Sequence, residues 1–175
     1  MNDKKKKREH EVLLCMTSIP QHMIHHHGVD NMPEFLLHTI SQQGCFNFSK
    51  AAYFVDNVDF NQLKGVAGVA RHERYGANHW ETPQQFSDYM RQSQFNQKVR
   101  TISRESADIK NKRPDRTVQE VAQLLEIQDP AYVMWHIKYD NAGLLVFEAE
   151  EPAERESFKD HLYNVLHLFG FCPIF

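Results

Sequence analysis

The chain has 175 residues, a length that suits one domain, with 41% hydrophobic and 25% charged residues and a net charge of −3. This composition excludes an intrinsically disordered chain, and no apolar run approaches the roughly 20 residues that a membrane helix requires. The three cysteines lie far apart without a Cys-x-x-Cys pair, which argues against a disulfide framework or a zinc ribbon. We therefore predict a cytoplasmic protein with reduced thiols and without membrane contact.

The N-terminal part of the chain predicts little regular structure. The lysine-rich residues 1–10 predict a disordered basic tail, and residues 11–175 are expected to form a single globular domain. Residues 11–17 are rich in valine and leucine and predict a short strand. The following residues 18–31 have little apolar periodicity and carry four histidines, which favours a loop.

The next segment carries signals at both ends of a helix. Asn31 is a candidate cap, Pro33 falls in the first turn, where its missing N–H costs nothing, and Gly44 follows the end. Residues 51–55 then predict a strand that ends in a turn. Residues 59–69 predict a further helix, although its two glycines weaken it by about 1 kcal/mol each relative to alanine.

The second half of the chain predicts three helices and one β-hairpin. Threonine followed by proline indicates the start of a helix, as does threonine followed by glutamate three positions later. Proline disfavours the α-helical backbone conformation in the residue before it and so indicates where a helix ends. The expected elements are helices beginning at Pro83 and after Thr117, strands over residues 132–139 and 144–148, a helix over residues 154–169, and a C-terminus packed through Phe171, Cys172, Ile174 and Phe175. Helices and strands that do not alternate strictly predict an α+β fold, with helices packed on a small, mainly antiparallel sheet; an α/β fold is the alternative.

Histidines and cysteines are concentrated in one part of the chain. Seven of the 11 histidines and two of the three cysteines fall between residues 15 and 79. Imidazole nitrogen and thiolate sulfur are the ligands that zinc prefers, and two or three imidazoles of residues 22–27 share a face in either a helix or a strand. We therefore predict a divalent metal site, zinc above all, with a solvated polar loop or acid–base histidines as the alternatives. The candidate ligands are His22, His25, His26, His27, Cys45, His72 and His79.

Residues 71–81 are the densest run of functional side-chain types and predict an exposed loop. Glu73 is a candidate general base on a metal-bound water, His72 a candidate acid or base, and Arg71 a candidate clamp for a carboxylate or phosphate. These three residues would be the catalytic groups of a metal-dependent hydrolase. The structural alternative is a surface loop anchored by its aromatic residues.

The charge is distributed unevenly along the second half of the chain. Residues 98–116 carry seven basic and three acidic residues, and the balance reverses over residues 117–160. Such asymmetry can guide a charged partner, so the alternative function is a non-enzymatic protein-interaction module that uses residues 98–116. A nucleic-acid partner is not expected, because aromatic and basic residues are not interleaved along the chain.

Overall fold

The computed structural model describes residues 2–173, so the predicted packing of Ile174 and Phe175 lies outside the described residues. Seven α-helices are described: α1 (Asn2–His25), α2 (Met32–Ser41), α3 (Pro83–Gln92), α4 (Gln94–Thr101), α5 (Asp115–Leu125), α6 (Pro152–Ser157) and α7 (Lys159–Leu166). Five strands form one sheet: β1 (Phe48–Asn57), β2 (Gln62–Ala70), β3 (Ser103–Arg104), β4 (Ala131–His136) and β5 (Ala142–Ala149). Two short 3₁₀ helices span Arg71–Glu73 and His167–Phe171.

The sheet has the strand order β3-β2-β1-β5-β4, and each neighbouring pair is antiparallel. Helices cover both of its faces, which confirms the predicted α+β fold. Alternate residues of the central strand β1 therefore enter different cores, with Tyr53 among the side chains under α1, α2, α3 and α7, and Phe54 among those under α4 and α5. Since both faces are buried, β1 and β5 appear in the sequence as continuous apolar runs.

Over residues 2–25, helix α1 occupies the place of the predicted tail, the predicted strand and the first part of the predicted loop. Val12 and Ile19 are wholly buried, and Cys15, Met16 and Met23 pack beside them. These spacings place the five side chains along one face of a helix. The expected strand was wrong because its valine and leucine residues belong to this helical stripe, which needs the rest of the protein for its partners.

The N-terminal end of α1 is tied to the body of the protein through Arg8. The Arg8 Nε donates to both carboxylate oxygens of Glu154 at 3.2 and 3.1 Å, and its Nη2 donates to the Cys45 carbonyl at 2.5 Å. The guanidinium also lies 5.5 Å from the centre of the Phe158 ring. Residues 2–10 are thus helical, in contrast to the disordered tail that their composition predicts.

Strand β2 occupies the place of the helix predicted over residues 59–69, and that prediction was wrong. The two glycines of this segment allow α4 to cross the sheet at close range. A Cβ at Gly65 would overlap the Val99 carbonyl, and a Cβ at Gly68 would lie 2.5 Å from Val99 Cγ2. The glycines that weaken the predicted helix thus serve the contact between β2 and α4.

A buried asparagine at the start of α4 holds this crossing in place. The Asn96 Oδ1 accepts from the Gly68 N–H at 2.9 Å, and its Nδ2 donates to Glu34 Oε1 at 2.8 Å and to the Met90 carbonyl at 2.9 Å. Asn96 is wholly buried. A single side chain therefore links β2, α2 and α3 to α4.

Most of the other predicted elements are confirmed, with shifted ends. Helix α2, the β4–β5 hairpin and the start of α3 lie where they were expected. The helix that begins at Pro83 is interrupted at Ser93, whose hydroxyl accepts a hydrogen bond from the Asn96 N–H and caps α4. The helix expected over residues 154–169 is divided at Phe158 into α6 and α7. Cys172 is buried as expected, but Phe171 is 79% exposed.

Candidate functional site

The histidines that follow one another near residue 25 have a structural role at the end of α1. The Nδ1 atoms of His25, His26 and His27 lie 2.8, 2.9 and 3.0 Å from the backbone carbonyls of Gln21, His22 and Ile24. The last carbonyls of a helix lack partners within the helix, and imidazole N–H groups can satisfy them. These three rings therefore cap the helix, with the proton on Nδ1.

The two histidine groups of the sequence do meet, around the buried ring of Trp80. His22 stacks on Trp80 with ring centres 4.9 Å apart and an interplanar angle of 7°. His26 lies 5.4 Å from the same ring and His79 lies 5.0 Å from it. The structure thus brings three of the seven predicted ligands together, but it does so around an indole that fills the space between them.

A fourth imidazole completes this cluster at its buried end. His38 of α2 packs against His79 with ring centres 4.5 Å apart and an interplanar angle of 67°, and both residues are 2% exposed. The Thr39 hydroxyl donates to the Phe35 carbonyl at 2.8 Å and accepts from the Trp80 indole at 3.1 Å. Its remaining contact, 2.8 Å from His79 Nε2, therefore places the His79 proton on Nε2.

Each ring of the His38–His79 pair keeps one buried nitrogen without a hydrogen-bond partner in the described part of the chain. The Nδ1 of His38 lies 3.5 Å from the Gln42 amide nitrogen, which leaves its Nε2–H unpaired, and His79 has an unpaired Nδ1. Burial, together with the neighbouring Arg74, lowers the pKa of His38 to about 4. Burial and the His38 ring lower the pKa of His79 to about 3. Both imidazoles are therefore neutral at neutral pH.

The other predicted metal ligands lie away from this cluster. Cys45 is wholly buried in the loop after α2, and the His72 side chain is 66% exposed beside Glu73. Among residues 2–173, no three histidine, cysteine or acidic side chains are placed to hold one metal ion. The metal site thus remains a prediction from composition, without a set of converging ligands.

The three predicted catalytic residues each have a structural partner. Glu73 accepts hydrogen bonds from the Ser93 hydroxyl at 2.5 Å and from the Phe95 N–H at 3.2 Å, so its carboxylate lies at the N-terminus of α4. His72 Nε2 lies 3.5 Å from Glu73 Oε1, and Arg71 forms an ion pair with Glu150 at 2.8 Å. Carboxylates are favourable at helix N-termini, which gives Glu73 a role in stability.

The basic residues 98–116 are largely neutralised by neighbouring carboxylates. Six of the seven basic side chains form ion pairs, most of them exposed: Lys98–Glu126, Arg100–Glu34, Arg104–Glu120, Lys110–Asp140, Lys112–Asp108 and Arg116–Glu120. Each lysine or arginine thus presents less net charge to a partner than the sequence suggests. The interaction function of this segment stays a prediction.

A second candidate site lies at one end of the sheet. Asp56 pairs with Ala142, so the turn between β1 and β2 and the turn between β4 and β5 lie side by side. Between them is a cleft of about 550 Å³, which we call the turn-end cleft. Its principal lining side chains are Asn57, Phe60, Lys64, Lys138, Tyr139 and Asn141.

Two aromatic rings stand exposed at the rim of the turn-end cleft. Phe60 is 80% exposed and Tyr139 is 81% exposed. Tyr139 and Asp140 have φ angles of 58° and 60°, so two consecutive non-glycine residues adopt the left-handed conformation. Two consecutive residues with positive φ are the geometry of a tight β-hairpin turn, so this conformation forms the turn between β4 and β5.

The same cleft contains cationic and amide groups. Lys64 and Lys138 form no ion pair within residues 2–173, and the Lys138 ammonium lies 5.9 Å from the centre of the Tyr139 ring. Asn141 is 4% exposed, and its Oδ1 has no hydrogen-bond partner among the described residues. Asn57 lies at the end of β1 and pairs with Gln62 across the strands. The cleft thus combines stacking surfaces with positive charge.

No family model, curated protein or solved structure matches this chain. The turn-end cleft and the imidazole cluster are therefore interpreted on their own geometry. Within residues 2–173, no helix is both long enough and apolar enough to cross a membrane.

The residues of the turn-end cleft were not predicted from the sequence. Phe60 and Tyr139 are isolated aromatic residues near polar turns, and each alone is an ordinary surface feature. The available signal was a large ring beside turn-forming residues, with Asp56-Asn57 before Phe60 and Asp140-Asn141 after Tyr139. Their proximity becomes visible only with the antiparallel pairing of β1 and β5.

Proposed function

We propose that the chain binds a nucleobase-containing ligand in the turn-end cleft. The observation that carries this proposal is the placement of two almost fully exposed aromatic rings, Phe60 and Tyr139, on the rim of one cleft. Aromatic platforms bind bases through their faces, and each stacked base contributes about 1–3 kcal/mol. Two exposed rings that share a cleft offer such surfaces at low entropic cost, because an aromatic side chain has only two rotatable angles.

The charges of the cleft suit the phosphate of a nucleotide. Lys64 and Lys138 supply two ammonium groups without carboxylate partners in the described chain. A lysine is a strong donor to phosphate and acts as a point charge. The ligand that fits is thus an anion with an aromatic portion, rather than a neutral apolar molecule.

Asn141 supports one wall of the cleft. Its amide donates to the Lys138 carbonyl at 3.3 Å, and the Asn141 side chain is 4% exposed. Asn141 therefore holds the turn that carries Lys138 and Tyr139, and its Oδ1 is too enclosed to accept a hydrogen bond from a ligand in the cleft. Recognition thus rests on stacking and charge, without a preference among the bases.

This proposal departs from the expectation drawn from the sequence, in which aromatic and basic residues are not interleaved. Interleaving along the chain is one way to build a stacking platform, and convergence of remote turns is another. Here Phe60 and Lys64 come from the β1–β2 hairpin, whereas Lys138 and Tyr139 come from the β4–β5 hairpin. The site is thus composed of two short segments that the sheet places together.

Isothermal titration of the purified chain with AMP, ATP, UMP and a short single-stranded oligonucleotide tests the proposal. Phe60→Ser and Tyr139→Ser should each weaken binding by roughly 5- to 100-fold, in line with the loss of one stacking contact. Both residues are exposed, so the folded structure should be retained. Phe171→Ser removes an aromatic ring of equal exposure outside this cleft and is the matched control.

The comparison of ligands separates a free nucleotide from a nucleic-acid strand as the natural ligand. A strand that binds much more tightly than the mononucleotides, with a strong salt dependence, indicates nucleic acid. Equal affinities indicate a free nucleotide. Absence of binding to all four ligands at millimolar concentration, or equal affinities of Phe60→Ser, Tyr139→Ser and Phe171→Ser, would overturn the proposal.

A further inference from the structure

Another cleft lies where the start of α2 faces β2. It has a volume of about 380 Å³, and we call it the α2–β2 cleft. The last turns of α3 and α4 complete its walls. A cavity of this size can enclose a small polar molecule. The charged side chains that line it are Asp30, Glu34, Lys64, Arg91 and Arg100.

Two of these charges, of opposite sign, have no partner in the described part of the chain. Asp30 is exposed and Lys64 is half-buried, and neither forms an ion pair within residues 2–173. They do not pair with each other either, although they line the same cleft. The α2–β2 cleft therefore offers one free carboxylate and one free ammonium group to a ligand.

Arg100 is held in the α2–β2 cleft by a buried carboxylate. Its Nη1 donates to Glu34 Oε1 at 3.1 Å, and Glu34 is 2% exposed. Asn31 and Asn96 donate to the same carboxylate, so the position of Glu34 does not depend on Arg100 alone. The other guanidinium nitrogens of Arg100 have no protein partner within residues 2–173. A guanidinium fixed in this way is suited to bind the carboxylate of a ligand, because it loses less side-chain freedom on binding.

The remaining charges of the lining balance one another. Arg91 Nη1 lies 2.6 Å from the Asp88 carboxylate, and Glu34 is paired with Arg100. A lining with separate charges of both signs is poorly suited to a simple anion, because Asp30 would repel it, and Lys64 would repel a simple cation. The ligand that fits carries both charges.

We propose that the α2–β2 cleft binds a free amino acid in its zwitterionic form. The α-carboxylate lies at Arg100 and Lys64, and the α-ammonium group lies at Asp30. Pro33 and Val66 supply apolar contacts in the same cleft. One ligand thus satisfies both unpaired charges. This site is separate from the nucleobase site proposed above and shares only Lys64 with it.

Thermal unfolding of the full-length chain with each of the common L-amino acids at millimolar concentration identifies the probe. At least one of them should raise the Tm by about 3–6 °C when its concentration is about ten times its Kd. Isothermal titration then compares this amino acid with two analogues, the acid that lacks the amino group and the amine that lacks the carboxyl group. Each analogue should bind roughly 10- to 100-fold more weakly, since it loses one charge-assisted contact.

Two variants separate the two ends of the ligand. Asp30→Asn should weaken binding of the amino acid several-fold without weakening that of the acid analogue, because only the ammonium group loses a partner. Arg100→Gln should weaken binding of both the amino acid and the acid analogue, but not that of the amine. Asp160→Asn, on an exposed aspartate of α7 without an ion pair in the described chain, is the matched control.

Urea denaturation shows whether Arg100→Gln keeps the fold. If this variant is unstable, Asp30→Asn decides, because Asp30 is exposed and has no partner to lose. The proposal is overturned if no amino acid raises the Tm, or if the acid analogue or inorganic phosphate binds as tightly as the amino acid. Equal effects of Asp30→Asn and Asp160→Asn would overturn it as well. The nucleobase proposal is unaffected by these outcomes, since Asp30 and Arg100 do not line the turn-end cleft.

Discussion

The buried His38–His79 pair makes the stability of the fold depend on pH in a defined direction. Both rings have an ordinary pKa of 6.5, and burial lowers the pKa of His38 to about 4 and that of His79 to about 3. The unfolded chain therefore binds more protons than the folded chain between these values and 6.5. Stability is fully present above about pH 6.5 and is lost as the pH falls.

The size of the loss follows from the separation between the working pH and the pKa of the unfolded histidine. At about pH 5, His38 and His79 are protonated in the unfolded chain and still largely neutral in the folded chain. This difference costs about 2 kcal/mol of stability for each of the two rings. The pair together removes about 4 kcal/mol, whereas the whole stability of a domain is typically about 5–15 kcal/mol. Acidification to about pH 5 should thus remove a large part of the stability.

Urea denaturation at a series of pH values between about 8 and 5, followed by tryptophan fluorescence, measures this dependence. His38→Met should recover about 2 kcal/mol at about pH 5, because His38 has only a long hydrogen bond to Gln42 and an unpaired buried N–H to lose. His10→Gln, on an exposed residue of α1, is the matched control and should follow the unaltered chain. A free energy of unfolding that is flat from pH 8 to 5, or a slope unchanged in His38→Met, would refute the reasoning.

Two further predictions concern the contact between β2 and α4, and both are checked by the midpoint and slope of urea denaturation. Gly68→Ala should cost about 1–3 kcal/mol, with partial recovery in combination with Val99→Ala, whereas Gly65→Ala should cost more and should not recover, because its Cβ overlaps a backbone carbonyl. Equal costs without recovery at Gly68 would contradict this difference. Glu73→Ala should cost about 1–2 kcal/mol through loss of the carboxylate at the N-terminus of α4; an unchanged stability would show that this cap is not required.

Local sequence signals correctly predicted those elements in which the boundary residues and the apolar pattern indicate the same secondary structure. Helix α2 was bounded by Asn31, by Pro33 in its first turn and by a glycine after its end, and the β4–β5 hairpin was bounded by polar turn residues. Such signals depend only on neighbours in the chain, so they can be read without the fold. The antiparallel sheet with helices packed on it followed from the order of these elements.

The secondary-structure predictions failed where contacts with residues remote in the chain determine the conformation. In α1 the buried positions Val12 and Ile19 are separated by two helical turns, but Pro20 and the polar residues that follow it favour a loop when no core is present. In β2 the glycines weaken both helix and strand, and contact with Val99 makes the extended form suitable. Propensity is a weak guide at such positions, because tertiary contacts override it.

The candidate site illustrates the same limit. Imidazoles from two segments of the chain lie close together, but the histidine-rich sequence gave no sign that Trp80 lies between them. The predicted catalytic residues belong to residue types that are common in active sites, but in the structure each of them has a partner within the fold. Phe60 and Tyr139 line one cleft because β1 pairs with β5, and composition and spacing do not contain this pairing.

The Asn96 side chain helps to specify the alignment of β2 along β1. A shift of β2 by one residue along β1 would turn Gly68 to the opposite face, and the N–H that Asn96 now binds would be lost together with the space that the glycines leave for Val99. An alignment shifted by one residue would then combine an unpaired buried amide with a steric clash. Asn96 and the two glycines thus favour the observed alignment of β2 over the alignments shifted by one residue.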